Sequence, residues 1–206
     1  MKSLRLVFLC FVFSFSSVYG AFEFSSQGGL MAIEEKSDDI SEPGPREFGY
    51  ILKGAGHFTF DLTEKLIFGI GGFYQHSNYS QTVDISGVSA TNATFTRFGL
   101  DLKLYLKSET EYTPYFRLNT GPGRITVDVT SSVVNFTAET TGIISNLGGG
   151  VVFNYGSSIS FFLEVGSLFG VVETEITNVS VLTLALPKLG GSLVGAQFSA
   201  GLIFSL

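Results

Sequence analysis

Residues 94–107 read TFTRFGLDLKLYLK, and the order of these side chains decides the fold. Phe98, Leu100, Leu102, Leu104 and Leu106 take every second place, and Arg97, Gly99, Asp101, Lys103 and Tyr105 take the places between. Successive side chains of a β-strand point to opposite faces, so one face is a continuous hydrocarbon row and the other carries charge. Seven further segments repeat the pattern with less purity. In residues 22–33, Phe22, Phe24 and Leu30 alternate with Glu23, Ser25 and Gln27; in 50–61, Tyr50, Leu52, Phe58 and Phe60 alternate with Lys53, His57, Thr59 and Asp61. Residues 65–75, 113–121, 143–155, 158–172 and 192–206 do the same, setting Phe116 and Leu118 against Arg117, for example, and Phe161, Leu163 and Val165 against Glu164. Eight such runs separated by turn signals predict an all-β chain.

Which face points outward is the next question, and composition bears on it. The chain has 206 residues, 45% of them hydrophobic and only 15% charged, with 21 Phe and 25 Gly; its mean hydropathy is +0.35. Soluble domains carry about 25% charged residues. Beyond the N-terminal segment no stretch approaches the roughly 18 uninterrupted apolar residues of a membrane helix. Only helices and closed barrels satisfy every backbone group in lipid, so the choice lies between a soluble apolar core and a membrane barrel. The polar rows collect Glu23, Lys53, Asp61, Arg97, Asp101, Lys103, Arg117 and Glu164, four acids and four bases that can neutralise one another. An eight-stranded barrel has an interior just wide enough for such a set, whereas rows of Phe and Leu suit lipid. His57, on the same row, is expected to partner Asp61 or Glu164. The opposite orientation, a soluble secreted ligand-binding barrel, would turn the same rows the other way.

Connector lengths favour the membrane reading. The links near 63–64, 108–112 and 156–157 are short; the alternate links, 34–46, 77–93, 127–139 and 174–188, are long and rich in Ser, Thr, Asn and Asp. Eight strands starting on the periplasmic side place every short link there and every long one outside, the asymmetry of bacterial barrels. Tyr50, Tyr74, Tyr79, Tyr105, Tyr112 and Tyr155, near strand ends, suit interfacial girdles. The expected fold is an eight-stranded antiparallel up-and-down transmembrane β-barrel over residues 21–206, following a cleaved signal peptide at 1–20. In that leader Lys2 and Arg5 form the basic start, residues 6–15 the apolar run, and Val18-Tyr19-Gly20 the small-residue exit.

Charge excludes some function classes. The formal charge is -6 and no basic cluster stands out, so nucleic acid is not an expected partner. Cys10, the only cysteine, falls in the leader, which removes disulfides and thiol catalysis from the mature chain. With two histidines, His57 and His76, no zinc site and no cofactor is implied. The glycine runs at 69–72 and 121–124 open no helix and therefore lack the amide cradle of a phosphate site.

The closing residues, Ser199-Ala200-Gly201-Leu202-Ile203-Phe204-Ser205-Leu206, follow the C-terminal pattern of outer-membrane barrels, with Leu206 where a terminal aromatic is usual. Thr113-Pro114-Tyr115-Phe116 through Gly121-Pro122-Gly123, and Gly148-Gly149-Gly150-Val151 through Tyr155, look like the fifth and sixth strands of the small OmpA/OmpX/OmpW-type barrels. The chain thus resembles that family as pattern more than identity. The resemblance implies the bacterial outer membrane, contact with its lipid and lipopolysaccharide, and recognition of the last strand by the barrel-assembly machinery. It carries no catalytic residue across. Some small barrels modify lipid A with His, Ser and an acid, which gives His76-Ser77 an enzymatic alternative. The leading expectation is a structural or surface-interaction protein whose lumen is plugged by ion pairs, with a narrow channel for small or apolar solutes as its rival. The apolar residues Val179, Val181, Leu182, Leu184 and Leu186 in the last long link are expected to meet a partner or lipopolysaccharide.

Overall fold

The computed structural model describes residues 20–37, 47–81, 91–130, 135–177 and 189–206. Residues 1–19, where a leader is expected, and the residues from Val179 to Leu186 lie outside the described residues. Eight strands follow one another: β1 (Gly20–Ser37), β2 (Glu47–Thr63), β3 (Leu66–Gln81), β4 (Thr91–Leu106), β5 (Tyr112–Thr130), β6 (Asn135–Phe153), β7 (Ile159–Thr177) and β8 (Leu189–Ser205). Each pairs antiparallel with the next, and β1 pairs with β8 to close the barrel. A ladder followed from Gln27 passes through Lys53, Gln75, Arg97, Gly123, Gly142, Val172 and Gly191, and returns to β1 at Ser37. That stagger of ten residues sets the strand tilt, about 40° for barrels of this size.

A wall this tightly coiled needs places where the backbone can bend inward. The β4–β5 ladder skips Phe98 and Gly99 opposite Gly121 and Pro122. A Cβ on Gly99 would lie 2.1 Å from the Thr120 carbonyl oxygen, and one on Gly121 would lie 2.0 Å from that of Phe98. Pro122, without an N–H to give, occupies this gap in the ladder at no cost.

The strands are longer than the alternation suggested. They run 16 to 19 residues, against about 9–11 for a tilted crossing of the hydrocarbon layer. Much of what reads as long Ser/Thr-rich link is therefore strand: β3 continues to Gln81, and β5 and β6 leave only residues 131–134 between them. The sorting of short and long links onto opposite ends holds for the other connections. Polar composition misleads here because the ends of the strands stand in water.

The side-chain pattern changes along the barrel accordingly. At the short-link end and middle, Phe24, Leu52, Phe58, Phe98, Leu100, Phe116, Leu147, Phe161, Val165 and Leu202 face outward and are exposed, while charged residues are buried inside. Soluble monomers rarely present such a belt to water; on a closed barrel it is a lipid-facing surface. Toward the long-link end the order reverses on β3 to β6. Asn78, Thr94, Thr96, Arg124, Thr126 and Thr141 now face out, and Met31, Ile33, Ile51, Tyr79, Ala93, Phe95, Ile125, Ile144, Leu168, Val172 and Leu193 form an apolar core within. The outward apolar row runs higher on the other side, through Phe48, Val171 and Val194.

Candidate functional site: the barrel lumen

The lumen is layered. Its floor at the short-link end is aromatic, with Tyr105, Tyr115, Val152, Phe162 and Ile203 buried and Ile67 and Tyr155 packed against them. The roof is the apolar core just described. Between them lies a band of buried polar and charged side chains that includes eight of the nine lumen residues expected from sequence: Glu23, Lys53, His57, Arg97, Asp101, Lys103, Arg117 and Glu164. Asp61 corrects the expectation. It has the inward parity, but it stands at the rim beside a register shift between Asp61 and Thr63, 53% exposed and 2.8 Å from Lys107 Nζ. Strand parity gives direction and says nothing of depth.

Arg117 is the hub. Its Nε donates to Asp101 Oδ1 at 2.8 Å, and its Nη2 contacts Asp101 Oδ2. Nη1 donates to Glu164 Oε2 at 2.7 Å and to Gln27 Oε1 at 2.8 Å. One guanidinium fork thus joins β1, β4, β5 and β7 across the lumen, a geometry that ammonium groups cannot offer. Tyr115 Oη also donates to Glu164 at 2.9 Å, and Gln197 Nε2 does so at 3.3 Å. His57 partners neither Asp61 nor Glu164. Its Nε2 lies 3.2 Å from Asp101 Oδ2, because Asp101 reaches the lumen centre from β4.

A second cluster ties down the floor. Tyr105 Oη donates to Glu23 Oε2 at 2.7 Å and Tyr155 Oη to Glu23 Oε1 at 2.8 Å. Tyr155 belongs by parity to the lipid row, yet it leans over the lumen, because the β6–β7 turn takes Asn154 and Gly156 through positive φ (57° and 90°) and breaks the alternation. Burial and the adjacent Glu23 carboxylate hold its phenol well above the usual range, so it stays a donor. Of the tyrosines expected in girdles, Tyr50, Tyr74 and Tyr112 are exposed on the outside, whereas Tyr79 and Tyr105 are buried within. Lys103 stands among the rings of Tyr105, Tyr115 and Phe162, each 5.8 Å from Nζ.

Selecting ionised groups alone missed the neutral half of this band. Gln27, Gln75, Asn119, Asn146, Gln197 and Ser199 are buried in it, and alternation placed them on inward rows as surely as the charges. Gln75 takes two hydrogen bonds from Arg97, at 3.0 and 2.8 Å. His76 and Ser77 cannot work together as acid–base partner and nucleophile. Adjacent on β3, they face opposite sides, Ser77 into the lumen and His76 outward.

No protein-family model matches this sequence, and no curated protein matches it. Solved structures do. The outer-membrane protein AlkL, determined by solid-state NMR in DMPC bilayers, aligns at TM-score 0.52 and 12% identity, over 92% of this chain and 91% of that one. The chain has the fold of an outer-membrane β-barrel. The outer-membrane protease OmpT of Escherichia coli shares that barrel fold at TM-score 0.51 and 7% identity, over 91% of this chain and 97% of that one. Neisserial surface protein A, NspA, aligns at TM-score 0.49 and 15% identity, over 88% and 96%. For an outer-membrane-type barrel the lipid-facing belt and buried charge are two sides of one wall.

Proposed function

We propose that the protein is a bacterial outer-membrane barrel with a structural or surface-interaction role and a lumen that does not conduct. The observation that supports this reading is the stack of three layers of buried side chains: aromatic floor, ion-paired band and apolar roof. An ion entering from outside would first have to shed its water against Phe95, Ile125, Ile144, Leu168 and Leu193, all at most 2% exposed, and these apolar side chains do not replace its hydration. The Arg117 fork then cross-links the wall below. Purified protein in planar bilayers is expected to give no steady single-channel steps. Regular steps in wild type would refute the sealed reading and favour a narrow channel.

The interactive part of the role belongs to the long links. Deleting residues 179–186 is expected to leave heat-modifiable barrel folding intact and to abolish binding to cells or lipopolysaccharide; unchanged binding would discard that assignment. Delivery to the membrane through recognition of the β8 strand by the barrel-assembly machinery belongs to the same reading, and replacing Phe204 with Asp is its test, by loss of membrane-inserted protein.

A further inference from the structure

Among the described residues the buried lumen holds four cations, Lys53, Arg97, Lys103 and Arg117, and three carboxylates, Glu23, Asp101 and Glu164. Each carboxylate already has its donors: Glu23 has Tyr105 and Tyr155, Asp101 has Arg117, and Glu164 has Arg117, Tyr115 and Gln197. Among the wholly buried atoms, two cationic donors are left over. Lys53 Nζ and Arg97 Nη1 are buried without a hydrogen-bond acceptor. Both residues flank Gln75 along one ladder, but the Gln75 carbonyl oxygen already serves Arg97 Nε and Nη2. Both also lie beside the Phe73 ring, at 5.0 and 5.1 Å from its centroid. A ring face attracts a cation only weakly. Stripping an ammonium of its water costs more than that, so the ring does not close the gap.

We propose that the lumen binds one small monovalent anion, of halide size, at Lys53 Nζ on the side toward Arg97. A single negative charge brings the described lumen to four cations and four anions; a dianion would overshoot. Asn146 Nδ2 is a further buried donor without an acceptor, and Asn119 Oδ1 and Gln197 Oε1 are buried acceptors without a donor. Since floor and roof close the compartment, the anion enters as the barrel folds and exchanges only when it opens.

The test follows from that trapping. Full-length protein is unfolded in urea and refolded into micelles in sodium bromide or, at equal ionic strength, sodium gluconate. Bromide is expected to raise the thermal midpoint over gluconate, and crystals of the bromide-refolded protein are expected to show one anomalous bromine peak in hydrogen-bonding reach of Lys53 Nζ. Lys53→Met should lose both the peak and the halide dependence. Equal midpoints for wild type in the two salts, a lumen holding water alone, or a peak that persists in Lys53→Met would each overturn the proposal; the two wild-type measurements do not require the variant to fold.

Discussion

Replacing Arg117 with Met is the sharpest perturbation of the lumen. The substitution keeps an unbranched apolar stem, but it strips Asp101 of its bidentate partner and Glu164 of its 2.7 Å donor. Two carboxylates are then buried at 0–1% exposure with a neutral residue between them. Breaking a buried ion pair by removing one partner costs about 3–5 kcal/mol, or roughly two to four powers of ten in the folding equilibrium. The control is Arg124→Met, which breaks the exposed Arg124–Glu139 pair on the outer face, worth about 0–1 kcal/mol. The chain has no Trp, so urea unfolding in micelles is best followed by far-UV circular dichroism and the gel shift of heat-modifiable barrels. Adding Asp101→Asn and Glu164→Gln to Arg117→Met should restore part of the loss, because the stranded charges go with them. If Arg117→Met shifts the midpoint no more than Arg124→Met does, the band is wet and open, and the sealed-lumen argument fails.

Other outcomes separate the remaining structural claims. Gly99→Ala should lower the urea midpoint strongly, since its Cβ would meet the Thr120 carbonyl at 2.1 Å, whereas Gly54→Ala, whose nearest neighbour would be 3.9 Å away, should stay within about 0.5 kcal/mol; equal effects would show that the wall is not bent at Gly99. Tyr155→Phe removes one donor to Glu23 and should cost about 1.5–3 kcal/mol, the worth of a hydrogen bond to a charged group; an unchanged unfolding curve would mean that the tyrosine does not lean over the lumen. In a Cys10→Ser background reconstituted in nanodiscs, Thr94→Cys should react with a water-soluble maleimide and Leu102→Cys should not, and the reverse order would misplace the outer membrane boundary. His76→Ala should leave the mass spectrum of lipid A from expressing cells unchanged, because His76 and Ser77 face opposite ways; loss of a modification present with wild type would restore the enzymatic reading.

The sequence by itself determined the strand count, the antiparallel order and which residues share a face, because each follows from a period of two and the turn signals between runs. It also determined that Phe98, Leu100 and Leu102 oppose Arg97, Asp101 and Lys103, and that charge on one row could balance itself. Only the tertiary structure decided depth and partnership. Asp61 and His57 share parity, yet stagger leaves one at the rim and carries the other to the centre; Arg117, not a short-range neighbour, joins four strands because closure brings their inward rows together. The reversal of pattern beyond the membrane was likewise invisible: Phe95 and Ile125 sit on the same inward rows as Arg97 and Arg117, and alternation assigns a side without saying whether lipid or water lies across the wall. Solvent on the outer face changes along the barrel axis, and that axis exists only once the eight strands have tilted and closed.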